Sequence, residues 1–331
     1  MLDIARGLAA LAVVLFHYSV ILPRFVPDAA TIPVKFTYGF YGVHLFFVVS
    51  GFVILMTLER SNVRQFVISR LARLYPAYWL GCLLTFGILT ALRPFPYPIG
   101  FGEFLVNLTM LQDFVKVPPI DGVYWSLSYE LGFYAFMFAL FGLKLHRYVA
   151  ALPLYMIAGA VLFHFAARYI PHPLHLLLMV NQYSHLFGCG LALYLLRTRG
   201  SSWLHWGAVA LTPLVQMLYD DMTGLVAGGI IAVLMSAACL ARLEAPRAAR
   251  ALLWLGSISY ALYLVHQMLG FAALGWLQAQ GWGPWAATLA TVAGALLLAH
   301  AITYYFERPL SARMKRALRA IGTKVPASVT V

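Results

Sequence analysis

Long apolar runs, each closed by proline, glycine or a cluster of arginines, organise this chain. Runs close to the ~20 residues a helix needs to cross a bilayer fall at 4–22, 38–58, 74–92, 124–143, 149–167, 174–196, 203–219, 222–241, 252–277 and 285–306. They predict an all-α, polytopic transmembrane helix bundle of about ten spans. The first run follows Arg6 and could be read as a secretory signal. Residues 18–27 hold bulky side chains and prolines where small residues would mark a cleavage site, so a retained span is the better reading.

The cations orient the bundle. With the N-terminus cytoplasmic, the inner segments carry Arg6, Arg60, Arg64, Arg70, Arg73, Lys144, Arg147, Arg197, Arg199, Arg242, Arg247, Arg250 and the tail from Arg308 to Lys324. That is 18 of the 23 Lys and Arg, which leaves Arg24, Lys35, Arg93, Lys116 and Arg168 outside. Every inner loop agrees, so the expected topology is N-in and C-in.

Composition supports this class. The chain has 331 residues, 62% hydrophobic and 10% charged, where soluble domains have roughly 25% charged, and its mean hydropathy is +0.82. The net charge of +12 follows from topology, so no nucleic-acid partner is called for. Cys82, Cys189 and Cys239 sit singly in apolar runs and read as packing residues, with neither disulfide nor zinc spacing; no metal is expected. The loop at 94–123 is outer, rich in Pro, Gly and aromatics, and its amphipathic part at 103–114 suggests an interfacial lid.

Most polar residues within the spans need no special role. The Gly224 to Gly228 spacing suits close helix packing, and His44, His164, His172, His175 and His205 lie near span ends, where an imidazole reaches water. Other residues resist that reading. His17 stands eleven residues after Arg6, roughly 16 Å along a helix and near mid-membrane. Glu130 lies roughly 9 Å in from the outer end of its span and His266 roughly 21 Å from the inner end of its own. These three titratable groups are expected in one layer, where they mark a pathway or a reaction site. Arg70 and Arg73, at i and i+3 on one inner helix face with Arg64 behind them, match phosphate oxygens.

Together the motifs resemble the acyltransferase 3 family. They are Arg6 with ten residues to His17, Phe46-Phe47-Val48-Val49-Ser50-Gly51-Phe52, Arg70 and Arg73 before Tyr75-Pro76, Trp125-Ser126-Leu127 with Glu130, Ser259-Tyr260 with Tyr263-Leu264 and His266, and Phe306-Glu307-Arg308-Pro309. The chain differs in having a single acid, Glu130, after the Trp-Ser-Leu motif, and Gln267 where proline is common. The resemblance implies a transmembrane acyltransferase domain over 1–310 with a short basic cytoplasmic tail at 311–331. It also implies an enzyme of the bacterial cytoplasmic membrane that O-acetylates a glycan or other sugar-containing acceptor from acetyl-CoA.

On that resemblance the donor phosphates dock on Arg70 and Arg73, with Arg64 as a weaker candidate, and the acceptor enters from the outer side. His17 is the expected general base or, alternatively, the site of an acyl-histidine. Glu130 and His266 complete the catalytic set, and Ser50, Trp125 and Tyr260 are expected at the substrate. Arg6 is either functional or structural, the latter through Asp3 or Glu307. A rival reading is a flippase for a glycan precursor with a proton relay through His17 and Glu130.

Overall fold

A computed structural model of the chain describes residues 1–92, 99–240 and 249–321. Arg93, Arg242, Arg247, Lys324 and part of the outer loop lie outside the described residues. Among the described residues the chain is helical with no strand. In hydrocarbon this is the expected outcome, because a helix satisfies its own backbone polar groups. Among the described residues six helices are long and apolar enough to cross a membrane, or seven when one bent pair counts as a single span. The protein is an integral membrane protein.

The helices are α1 (Leu2–Phe16), α2 (Tyr41–Glu59), α3 (Val63–Leu92), α4 (Phe101–Asn107), α5 (Trp125–Gly142), α6 (Leu152–Ala166) and α7 (His172–Leu177). They continue with α8 (Ser184–Arg199), α9 (Trp203–Leu240), α10 (Arg250–Val265), α11 (Met268–Ala279), α12 (Pro284–Ala301) and α13 (Arg308–Ile321). α9 is two helices across a kink at Asp220 and Asp221, where Asp221 has φ 53°. A Cβ on Gly224 would meet the Gln216 carbonyl oxygen at 2.6 Å, and one on Gly228 would meet Pro213 at 2.9 Å. The two arms therefore fold back on each other, as the glycine spacing suggested. Two further helices fall outside that set: α8 has 16 residues, and α5 carries Glu130 with two serines.

Packing relies on small residues, because lipid offers no hydrophobic drive between helices. α8 is buried on every side from Ser184 to Leu196. It meets α2 backbone to backbone: a Cβ on Gly190 would land on the carbonyl oxygen of Val48, and one on Gly51 on that of Phe187. α1 meets α10 in the same way, since a Cβ on Gly256 would land on the carbonyl oxygen of Asp3. α10 and α11 form the bent pair, at 77°. At the bend Tyr18 donates to the carbonyl of His266 (2.8 Å), which also accepts from Gly270 N (3.1 Å), and Asp121 accepts from Met268 N (3.2 Å).

The loop between α4 and α5 is pinned onto α3. Tyr78 donates to Asn107 O (2.7 Å), Trp79 to Leu108 O (3.0 Å) and Tyr75 to Thr109 O (2.8 Å). On the other side, Arg64 donates to the carbonyls of Leu318 and Arg319 (both 3.0 Å), tying α13 to α3. His44, His175 and His205, expected at water, are buried instead. The ring of His44 is enclosed by Phe40, Tyr41 and Tyr183, and His205 Nε2 bonds the Ala150 carbonyl (3.2 Å).

Gly256→Val is expected to separate α1 from α10 and abolish the monodisperse detergent-solubilised peak in size-exclusion chromatography. Gly229→Val, where a Cβ meets nothing within 4 Å, is expected to leave the peak unchanged.

Candidate active site

Arg6 in the first turns of α1 and Arg70 and Arg73 of α3 line one cavity with Ser50, Glu130, Tyr134, Tyr260 and Tyr263. The cavity holds about 780 Å³, counting the space at its mouth. Arg73 pairs with Glu307, whose side chain is 4% exposed, and lies over the Tyr260 ring at 5.2 Å. Tyr260 in turn donates to Leu74 O at 3.0 Å. Arg70 donates to Ser69 Oγ (3.2 Å) and lies 5.9 Å from the Phe66 ring centre. Glu130 accepts from Ser50 Oγ (3.0 Å) and from Tyr134 on the next turn of α5. Among the described residues Arg6 makes no side-chain hydrogen bond or ion pair. Of the two partners considered for it, Glu307 is held by Arg73 and Asp3 forms no ion pair with it. Three guanidiniums thus face Glu130 and Glu307, with Asp3 a further acid acting on the charge of Arg6.

The histidines form a second tier. His17 begins a π-helical turn at the end of α1, and His266 follows the last residue of α10. His266 Nε2 lies 3.3 Å from His17 Nδ1. Their hydrogen bonds assign the tautomers. His266 Nδ1 faces the carbonyls of Tyr263 (2.9 Å) and Leu262 (3.2 Å), so it carries the proton and Nε2 accepts. His17 Nδ1 faces Val13 O (2.8 Å) as well as His266 Nε2, so it also carries a proton. The lone pair of His17 is therefore on Nε2, which has no protein donor among the described residues. A neutral imidazole held in this way is equipped to take a proton from a hydroxyl.

The expected layer of three is thus a pair with a carboxylate elsewhere. His17 and His266 meet, while Glu130 sits with Ser50 and Tyr134 among the arginine-tier residues. Arg64 does not line the cavity, because its guanidinium is used on α13. Asp3, on α1, contributes its carbonyl to the Gly256 contact. Trp125 also lies off the cavity lining, packed with Phe47 (6.2 Å), Tyr129 (5.7 Å) and Tyr183 (5.2 Å). Sequence reasoning missed Tyr134, although its place four residues after Glu130 on one helix face was a usable signal. It also missed Tyr18 and Asp121, whose partners lie 248 and 147 residues away. Among the described residues no group of three or more His, Cys, Asp or Glu is arranged to hold a metal.

A family model described as an acyltransferase domain matches residues 1–304. This chain belongs to the acyltransferase 3 family. It is similar to the exopolysaccharide production protein ExoZ of Rhizobium meliloti, 28% identical over 84% of this chain and 91% of that protein. It is also similar to a protein of the Acidianus two-tailed virus provisionally named an acetyltransferase, 24% identical over 80% of this chain and 81% of that one. No solved structure matches the chain.

Asp121, in the loop before α5, braces the bend beside His266. Burial pushes its carboxyl up to about 7, against the pull of the Val123 and Met268 amides. The unfolded value is about 3.9, so between these pH values the folded form keeps a proton that the unfolded chain has lost. Stability from this group is expected to fall as pH rises from about 4 to about 7 and then to level off. Asp121→Asn is expected to remove that slope from thermal midpoints measured in detergent across the same range.

Proposed function

We propose that this protein is an O-acyltransferase that moves an acetyl group from cytoplasmic acetyl-CoA to a hydroxyl of an exopolysaccharide or related glycan. One observation carries the reading: a chamber with three arginines adjoins a histidine whose Nε2 is free to accept a proton. Family membership supplies the reaction class, and the name of the Rhizobium relative supports the acceptor class.

The proposed setting is the bacterial cytoplasmic membrane, with about ten spans and both termini inside. α9 counts as two spans, the α10–α11 pair as one, and α1, α2, α3, α5, α6, α8 and α12 complete the set. An even number agrees with the placement of cations. Phosphates of the donor would sit on Arg70 and Arg73, with Arg6 completing the chamber, because planar guanidiniums match phosphate oxygens. Arg64 has only an indirect part, through α13.

In the proposed reaction His17 Nε2 takes the proton from the acceptor hydroxyl as its oxygen bonds the acyl carbon. The carbon–sulfur bond breaks, and the departing thiolate takes the proton back from His17. His266 holds the His17 tautomer by accepting from Nδ1. Glu130 fixes Ser50 and balances charge in the chamber, and Ser50 and Tyr260 line the donor's path. Trp125, with its ring cluster, is placed at the acceptor.

The test is transfer of labelled acetyl from acetyl-CoA to glycan by purified protein in lipid. His17→Ala is expected to lower turnover at least ~10²-fold in folded protein, the usual scale for a general base. Transport of glycan with no acetyl-CoA consumed would instead establish the flippase reading.

Arg73→Ala is a confounded probe of donor binding, because it strands the buried Glu307, at a cost of several kcal/mol. Arg70→Ala has no acid to strand. It is expected to raise KM for acetyl-CoA about tenfold, or ~1.4 kcal/mol, with kcat nearly unchanged. An unchanged KM would remove Arg70 from the donor site.

A further inference from the structure

Neither histidine lines the arginine cavity, yet the proposed reaction needs an acyl group from that cavity to reach His17. The rings packed on the two imidazoles are Phe16, Phe271 and Tyr263, and of these Tyr263 alone lines the cavity. Its ring centre is 5.8 Å from that of His266 on one side and 5.9 Å from that of Phe46, a cavity residue, on the other. The ring is pinned. Its hydroxyl donates to Val123 O (2.8 Å) and lies 2.7 Å from Ser126 Oγ, which supplies the matching proton. Tyr263 is 6% exposed. A phenol with both bonds made and almost no contact with water is a wall, placed between the arginine cavity and the histidine pair.

We propose that Tyr263 is a partition that decides whether the acyl group goes to the acceptor or to water. Pinned, the ring keeps outer-side water from the thioester. It swings aside when the donor carbonyl moves to His17 with an acceptor hydroxyl in place. Without the ring, a water oxygen bonds the acyl carbon, the carbon–sulfur bond breaks, the thiolate takes a proton from that water, and free carboxylic acid leaves. This inference rests on the acyl-donor reading for its chemistry, but the existence of the wall does not.

Two measurements test it. In the first, thiol release and acetyl transfer are followed together in reconstituted protein. Wild type is expected to give equal amounts, and Tyr263→Ala about tenfold more thiol than transferred acetyl, as expected when a site stops excluding water from a reactive group. Tyr263→Phe keeps the ring but loses both hydroxyl bonds, and should give an intermediate excess. It carries the test alone if the alanine variant misfolds. A parallel fall in both quantities would mark the residue as structural and overturn the proposal, and so would complete loss of both in Tyr263→Phe.

The second measurement uses no acyl donor. In a chain with Cys82→Ala, Cys189→Ala and Cys239→Ala, His17→Cys is exposed to a small charged thiol reagent from each side of sealed vesicles. With Tyr263 present, labelling is expected from the outer side only, and Tyr263→Ala should open the inner route. Identical labelling with and without the ring overturns the partition. Wild type that never consumes acetyl-CoA fails the acyltransferase reading alone, and the labelling result then judges Tyr263 by itself.

Discussion

The site depends on how closely α1 and α10 approach. At the Arg6 end of α1 no side chain separates the two backbones, since a Cβ on Gly256 would occupy the Asp3 carbonyl and one on Gly7 would lie 2.7 Å from Gly256 N. Helices joined so tightly at one end have little freedom at the other. Arg6 is thereby fixed in the chamber and His17 is carried to the end of α10, against His266. The π turn at His17 and the bend after His266 then re-aim the chain where the imidazoles meet. Asp121 takes up the Met268 amide at the bend, and Tyr18 adds a second donor to the His266 carbonyl, which already accepts from Gly270 N. A break in a spanning helix is tolerated only where such partners exist.

The two tiers separate two kinds of chemistry. On the proposed reading the cations gather where the donor phosphates would sit, and Asp3, Glu130 and Glu307 offset their charge. The imidazoles stand apart from them, and their hydrogen bonds fix both tautomers without any carboxylate. Backbone carbonyls, rather than an acid, orient the two rings: that of Val13 for His17, and those of Leu262 and Tyr263 for His266.

Much of this was legible in the chain. Periodicity gave the helices, the cations carry the proposed orientation, and rise per residue put His17 and His266 at depths compatible with their contact. Family membership and the exopolysaccharide-linked relative agree with the motif reading. Glu130 was misjudged for a definite reason: depth counted along a helix is measured from that helix's own end. α5 begins at Trp125 directly after Val123 and Tyr124, both fully enclosed, so its outer end is already inside the protein. Counting six residues from a buried start leads to Ser50 and Tyr134, away from the histidines. The use of Arg64 on α13 and the distant partners of Tyr18 and Asp121 depend on which helices become neighbours, and no local pattern records that.

The enclosure of α8 bears on how the protein is made. This helix carries Ser184, His185, Gly188 and Gly190 within 16 residues, and none of its positions from Ser184 to Leu196 faces outward. Such a segment partitions poorly into lipid by itself. Its place beside α2 and α6 must be prepared by helices synthesised before it, while the returning arms of α9 cover it afterwards. Its neighbours α2 and α6 precede it in the chain and α9 follows, so the enclosure of α8 is complete only once α9 is in place.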